Sequence, residues 1–177
     1  MKRCVACIVG VFLAMNLAGA VPVWAENLQC RHLPQLFELY LRAHYSVKTL
    51  PEEVQSRTIE QFIQNLDPSK TLFMDEEVTR LKKTLPVVFK TMKLGSCDPL
   101  EEAYRLVIAR AKEDEAFAKK FLDDKYGLDE SVELMLDPEK RGHPKSAEER
   151  TDMLKKMIHF QVSNYVLTDM KLPDARK

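Results

Sequence analysis

Residue types that carry out hydrolysis occur in this chain, but their spacing matches no hydrolytic motif. There is no Gly-x-Ser-x-Gly, no His-Glu-x-x-His and no Ser-x-x-Lys, the patterns that place a nucleophile or a zinc ion beside a base. Beyond residue 25 the glycines are Gly95, Gly127 and Gly142, which are too dispersed to form a phosphate-binding loop. The sequence therefore predicts no catalytic residue and no cofactor site.

Carboxylate clusters are the remaining candidates for binding a cation. They are Glu113-Asp114-Glu115 and Asp123-Asp124. Adjacent carboxylates on a helix point in different directions, so we interpret both clusters as solvated helix faces. The string Cys30-Arg31-His32 offers one thiol and one imidazole, without the second pair of ligands that a structural zinc site needs. The sequence therefore predicts no metal site.

The N-terminus has the composition of a secretory signal peptide. The basic pair Lys2-Arg3 precedes a long apolar run, and small residues follow at a Val23-x-Ala25 step. We expect residues 1–25 to be a cleaved signal peptide, residues 26–177 to form one domain, and the product to be periplasmic, without membrane contact after cleavage. An uncleaved anchor helix is the alternative, although the run is short for a bilayer span.

The charge balance after cleavage argues against a nucleic-acid partner. Loss of Lys2 and Arg3 leaves 25 of the 27 basic side chains against 27 acidic ones. Both signs are interspersed along the chain, whereas a nucleic-acid-binding domain concentrates its basic residues in a patch or stripe. We therefore expect no nucleic acid among the partners.

Two cysteines, Cys30 and Cys97, lie beyond the predicted signal peptide. In an exported chain, which meets an oxidising compartment, two cysteines are candidates for a disulfide bond. Two free, buried thiols are the alternative interpretation. The sequence leaves both states open.

Helical periodicity covers nearly all of the remaining chain, because apolar residues recur at three- and four-residue spacing. The predicted fold class is all-α, with four to five amphipathic helices in one compact domain. The predicted helices cover residues 33–44, 51–66, 75–94, 98–123 and a last segment from 146 onward. We expect one or two further helical turns in residues 129–136 and a loop in residues 137–145. The apolar face predicted for the first helix comprises Leu33, Leu36, Phe37, Tyr40, Leu41 and His44, with His44 hydrogen-bonded at the edge of the core.

Capping residues indicate where these helices begin and end. Asp75 and Asp98 are the predicted N-caps of the third and fourth helices. Ser146 and Glu149 form a capping box for the last helix, and Gly95 is suited to the left-handed position that ends the third. Pro86 removes a backbone donor inside the third helix, so we expect a kink or break there.

The most distinctive string lies at the corner between the second and third helices. Pro68 disfavours helical conformation in the residue before it, so the second helix should end at Asp67. The motif residues of this corner are Phe62, Leu66, Asp67, Pro68, Ser69, Lys70 and Phe73.

This corner resembles the N-terminal helical domain of the tail-specific, or carboxy-terminal processing, proteases exported by Gram-negative bacteria. The resemblance rests on residues 58–73, where a helix, a Leu-Asp-Pro corner and an aromatic residue occur in the order found in that family. Residues 154–167 are similar to the helix that leaves this domain toward the rest of the enzyme. The similarity covers most of residues 30–177.

The resemblance implies an enzyme in which a PDZ domain and a catalytic domain with a serine and lysine dyad follow. No serine or lysine of this chain can be matched to that dyad. The resemblance therefore implies a non-catalytic module, or a truncated fragment, with a scaffolding, substrate-entrance or adaptor-binding role. Its expected partners are the PDZ and protease domains of the parent enzyme or of a split partner, and an adaptor protein. The alternative is a free-standing exported helical protein that binds a protease or an envelope partner.

Overall fold

The computed structural model describes residues 28–129 and 131–176, so the predicted signal peptide lies outside the described residues. The described chain contains α-helices and short 3-10 turns but no β-strand, which confirms the all-α fold class. None of these helices is long and apolar enough to cross a membrane. The α-helices are α1 (Leu33–Ala43), α2 (Glu52–Leu66), α3 (Asp75–Thr84), α4 (Val88–Thr91), α5 (Asp98–Phe121), α6 (Pro138–Arg141), α7 (Ala147–Leu167) and α8 (Leu172–Ala175).

The main hydrophobic core lies among α2, α3, α4 and the start of α5. Phe73 and Leu85 are completely buried at its centre. Helix α1 covers one side of this core, where the ring of Phe37 meets Phe89 edge-on with centroids 6.1 Å apart. The buried residues of the core are Ile59, Ile63, Phe73, Val78, Leu81, Leu85, Val88, Phe89, Met92, Cys97 and Ala103.

The predicted break at Pro86 is confirmed. The α-helix stops at Thr84, and a 3-10 turn over Leu85–Val87 carries the chain into α4. Because proline supplies no N–H, the interruption falls where the helical hydrogen-bond ladder would lose a donor. Gly95 ends the last turn of this segment with φ of 81°, the left-handed conformation predicted for it.

Helix α7 packs beside the C-terminal half of α5 and buries its own apolar residues, Met153 and Val162. The contact with α5 is aromatic, since His159 meets the ring of Phe121 edge-on at 5.4 Å. The imidazole Nδ1 of His159 also lies 2.8 Å from the hydroxyl of Tyr126. The predicted capping box at the start of α7 is present in part, because Ser146 Oγ accepts the N–H of Glu149 at 3.1 Å.

Several predicted boundaries and segments are wrong. Asp129 and residues 131–136, the described part of the segment predicted to be helical, contain no helix, and the segment predicted as a loop contains the short helix α6. Asp137 starts α6 by accepting the N–H of Glu139, and Pro138 occupies its first position. Asp75 and Asp98 are the first helical residues of α3 and α5 rather than their caps.

The first helix buries less of its predicted apolar face than expected. Leu33, Phe37 and Leu41 are half-buried, whereas Leu36 and Tyr40 are 47% and 74% exposed. The reason is that α1 forms an outer layer that touches the core along one edge only. Leu36 and Tyr40, which belong to the same helical pattern, therefore point toward solvent.

His44 is hydrogen-bonded as predicted, but it does not lie at the edge of the core. Helix α1 ends at Ala43, so His44 follows its last turn and is exposed. Its Nδ1 accepts the backbone N–H groups of Ser46 and Val47 at 3.3 and 3.0 Å. The residue stabilises the turn after α1.

Cys30 and Cys97, the candidate pair, are bonded to each other, with their Cα atoms 5.7 Å apart. The bond joins the turn before α1 to the residue that precedes α5. Cys97 is buried in the main core, and Cys30 packs against that core. The disulfide therefore fixes the outer helix α1 to the centre of the domain.

Removal of this disulfide should destabilise the fold. The bond joins residues separated by 67 positions, and the chain-entropy treatment gives about 4 kcal/mol for a loop of that size. We expect the double variant Cys30→Ser, Cys97→Ser to melt about 10 °C lower than the unchanged chain, measured by calorimetry. A reductant should lower the melting temperature of the unchanged chain by a similar amount and leave that of the double variant unaltered. Equal melting temperatures with and without reductant would contradict this prediction.

Candidate functional site

The carboxylate of Asp67 organises the corner between α2 and α3. Asp67 is 3% exposed, and its two oxygens accept three consecutive backbone N–H groups, those of Thr71, Leu72 and Phe73 at 2.9, 3.0 and 2.9 Å. Its own N–H still donates to Ile63 at the end of α2. One buried charge therefore ends a helix and folds the next six residues around itself.

The other motif residues of the corner divide into buried and exposed positions. Phe73 is fully buried, and Phe62 and Leu66 pack against the main core from α2. The ring of Phe62 also meets that of Tyr104 on α5 edge-on at 6.1 Å. Pro68 and Ser69 are exposed at the tip of the turn. The sequence motif thus contributes three apolar anchors and an exposed tip.

The segment around α6 docks on that tip. The ammonium of Lys70, a residue held at φ of 53°, lies 2.8 Å from the carboxylate of Glu139. The guanidinium of Arg141 donates to the carbonyl of Ser69, and the carbonyl of Pro144 accepts the N–H of Asp75 at 3.0 Å. These contacts join residues about 70 positions apart, so the segment after α5 closes over the corner.

A buried network of arginines and carboxylates lies behind the corner. Arg110 on α5 donates from Nε and Nη2 to the carboxylate of Glu77, which is 5% exposed, with the shortest contact at 2.5 Å. Arg150 on α7 donates to the carboxylate of Asp114 and, at 3.3 Å, to the carbonyl of Leu72. The network thus links α3, α5, α7 and the corner.

These contacts change the proton affinities of the buried acids in opposite directions. Burial alone raises the pKa of Glu77, but hydrogen bonds from Arg110 and from the N–H of Met74 outweigh it and leave that pKa lowered. For Asp114 burial is the largest influence and leaves its pKa raised, although the nearby guanidinium of Arg150 partly opposes it. Both carboxylates serve as fixed acceptors for arginines.

The interpretation of residues 113–115 as a solvated face is wrong for Asp114, which is half-buried and accepts Arg150. Glu113 and Glu115 are exposed, as predicted, and each accepts a basic side chain of its own helix at 2.6 Å, Arg110 and Lys119 respectively. Successive helical residues point in different directions, so Asp114 can face α7 while its two neighbours face solvent.

None of these groups is arranged for hydrolysis in the described residues. No serine hydroxyl there bonds to a lysine amine. The bonds of serine hydroxyls there are to the side chains of Thr71 and Asp129, the N–H groups of Asp98 and Glu149, and the carbonyl of Phe160. No group of three or more histidine, cysteine, aspartate or glutamate side chains in the described part of the chain could hold a metal ion.

Open concavities occur at several places on the described surface. One groove lies between α2 and the α3–α4 segment, with Ile59 at its floor and Lys82 and Lys90 on one wall. Leu128, Asp129 and residues 132–136 line two smaller open cavities against α7, of about 190 and 180 Å³. The described part of the domain therefore carries open surface grooves.

Comparison with known proteins places this arrangement in a family. The sequence profile of the tail specific protease N-terminal domain matches residues 36–177. The chain belongs to this family. No curated protein matches the sequence. The match spans the corner, the arginine network and α7.

Sequence reasoning found the corner of this domain but missed the residues that close over it. Arg141 and His143 lie in a segment rich in proline and glycine, which gave no sign of packing. Arg150 carried a usable signal, because it lies three residues before Met153 and therefore on the buried face of α7. A cation on an otherwise apolar helix face indicates a buried ionic partner.

Replacement of Asp67 by asparagine should unfold the corner. The amide offers one acceptor oxygen in place of two and turns a donor toward buried N–H groups, so at least one of them loses its partner. We expect Asp67→Asn to lower the free energy of unfolding by about 3 kcal/mol, measured by urea denaturation. Asp75→Asn makes the same chemical change at an exposed helix start and should cost less than about 1 kcal/mol. Equal effects of the two substitutions would contradict the role given to Asp67.

His143 should make stability depend on pH. Its Nε2 is buried, has no hydrogen-bond partner and lies 3.6 Å from the carboxylate of Asp67. Burial lowers the pKa of His143 from its ordinary value of 6.5, and Asp67 only partly offsets this. Below pH 6.5 the unfolded chain therefore binds more protons than the folded one. The contribution of neutral His143 to the free energy of unfolding is complete above that pH and is lost as the pH falls through the lowered pKa. The other charges that act on His143 are those of Lys70, Asp75 and Lys82.

The measurement is urea denaturation of the unchanged chain and of His143→Gln on either side of pH 6.5. We expect His143→Gln to lose part of the fall in stability that the unchanged chain shows on acidification. A fall of unchanged size in His143→Gln would show that other groups cause it.

Proposed function

We propose that this chain is a non-catalytic scaffolding module of an exported tail-specific protease, acting in the periplasm beside the PDZ and protease domains of that enzyme. The observation that carries the proposal is the family match over residues 36–177, combined with two arginine–carboxylate pairs that hold helices together. The disulfide between Cys30 and Cys97 supports the exported location, because such bonds persist in oxidising compartments.

The arrangement of charge in the domain supports a scaffolding role. Glu77 and Arg150 are buried, and each bonds to a residue distant in sequence, Glu77 to Arg110 and Arg150 to Asp114. Breaking one partner of such a buried pair is costly, so these contacts hold α3, α5 and α7 in one relative position. A module of this kind serves to present surfaces at fixed places.

Uncovered apolar residues supply the surface for the rest of the enzyme. On α1, Leu36, Leu39 and Tyr40 form a strip at three- and four-residue spacing that faces solvent. In the last turn of α7, Leu167 is 81% exposed. Contiguous apolar side chains on a soluble domain mark contact sites, and we assign these two to the protease body.

Complementation in trans tests this function. The purified chain is added to a tail-specific protease body that has its PDZ and catalytic domains but lacks its own helical domain. We expect the chain to have no peptidase activity alone, to bind the body in titration calorimetry and to increase its turnover of an unstructured protein. Turnover by the chain alone, or no binding to the body, would contradict the proposal. Absence of binding would favour the free-standing protein that binds an envelope partner.

The assignment of the α1 strip has its own variant and control. Leu39→Lys combined with Tyr40→Lys places two charges in the strip and should weaken binding to the protease body by about tenfold or more. Ala109→Lys combined with Ala116→Lys adds the same charge at exposed positions of α5 and should change binding less than about twofold. Equal weakening by both pairs would indicate a general charge effect and remove the strip from the interface.

A further inference from the structure

The groove between α2 and the α3–α4 segment has charges of opposite sign on its two walls. Glu52 and Glu60 line the wall formed by α2, and Lys82 and Lys90 line the wall formed by α3 and α4. All four side chains belong to exposed residues, and none forms an ion pair or a side-chain hydrogen bond within the described residues. These charges are therefore available to a partner.

The charges form two rows that run side by side. Glu52 and Glu60 are eight residues apart, as are Lys82 and Lys90, and eight residues of a helix such as α2 span about 12 Å. The chain reverses at the Asp67 corner, so the end of α2 lies beside the start of α3. Glu60 therefore lies toward Lys82, and Glu52 lies toward Lys90.

Apolar side chains line the groove between these rows. They are Ile59 on α2, which is buried, and Pro86 and Val87 in the 3-10 turn, with Val87 48% exposed. Gln55 and Ser56 are the uncharged polar residues of the lining. The volume of the groove, about 540 Å³, corresponds to about 18 water molecules at roughly 30 Å³ each. The groove therefore has room for several side chains of a partner.

An amphipathic helix matches this pattern of charge and apolar surface. A helix lying along the groove presents an apolar ridge to its floor and the residues on either side of that ridge to the two walls. Charged residues repeated every seven or eight positions on each flank can then meet both rows at once. An extended chain fits less well, because successive side chains point to opposite faces and half of them would leave the groove.

The N-terminal segment of this chain does not match the groove. Residues 1–25 contain two basic residues, Lys2 and Arg3, and no acidic residue. The segment therefore has nothing to pair with Lys82 and Lys90.

We propose that this groove binds an amphipathic helix of a partner protein, with basic residues on the flank that faces Glu52 and Glu60 and acidic residues on the flank that faces Lys82 and Lys90. The apolar ridge of that helix covers Val87 and the floor of the groove. Like charges on either flank disfavour other helices, so the walls select the partner by charge. The groove shares no residue with the α1 strip or with Leu167, so the inference does not rest on the scaffolding function.

The test uses the purified chain and three fluorescein-labelled helical peptides, each held helical by a hydrocarbon staple on its outer face. All three carry the same leucine ridge, and their flanks are lysine and glutamate, lysine on both sides, or glutamate on both sides. We expect saturable binding of the mixed peptide in fluorescence anisotropy, at least about tenfold tighter than that of the other two. A helix bound in the reverse direction exchanges its flanks, so the controls differ in flank composition. Equal binding of the three peptides, or no binding of the mixed one, would overturn the proposal.

Reversal of one wall should change which peptide is preferred. Lys82→Glu combined with Lys90→Glu makes both walls acidic, so the peptide with two lysine flanks should become the tightest of the three. The control, Lys83→Glu combined with Lys120→Glu, changes the net charge equally at exposed positions outside the groove and should keep the preference for the mixed peptide. The same change of preference in both variants would show a general charge effect and overturn the proposal. Tight binding of the two-lysine peptide also shows that the reversed variant is folded.

Sedimentation of the chain alone tests the remaining occupant, a second copy of this chain. A dimer that the reversed variant fails to form, together with no peptide binding, would assign the groove to self-association and overturn the proposal. Loss of the peptide site with successful complementation of the protease body would leave the scaffolding function intact. Charge-selective peptide binding without complementation would support the groove and reject the scaffolding function.

Discussion

The structure depends on a single requirement, that the buried carboxylate of Asp67 be satisfied by hydrogen bonds. An ionised carboxylate removed from water is costly unless donors replace its hydration. Three backbone N–H groups supply that replacement, and they can do so only if residues 67–73 curl around the side chain. The curl places Phe73 in the centre of the core and directs α3 away from α2, so the geometry of the domain follows from one polar group.

The charged pairs behind the corner extend the same principle over longer distances. Arg110 and Arg150 each meet a carboxylate on another helix, and each is largely buried. Such pairs add little net stability over an apolar core, but a misplaced helix would leave a buried charge without a partner. The network therefore selects one packing of α3, α5 and α7 and disfavours the alternatives. One fixed packing of these helices supports the scaffolding role that we propose.

The parts of the fold predicted from the sequence are those set by local rules. Helical periodicity, the break at Pro86 and the left-handed end at Gly95 depend on residues that are neighbours in the chain, and all three appear in the structure. The conformation of residues 132–136 and the docking of Arg141 on Ser69 depend on contacts with distant segments, so no local pattern revealed them. The corner motif could be recognised in the sequence, but the hydrogen bonds of Asp67 could not. Its partners are backbone N–H groups, which do not depend on the types of the residues that carry them.

The disulfide has a mechanical consequence. The bond between Cys30 and Cys97 closes a ring that contains α1 to α4 and the entire Asp67 corner, while α5 to α8 lie outside it. Tension applied along the chain from its two ends would pass directly across the sulfur atoms and bypass the ring. Under load, α5 to α8 could be drawn out along the chain, whereas residues 31–96 could not be extended while the bond is intact. The length that the pulled chain can reach is therefore set by the oxidation state of two cysteines.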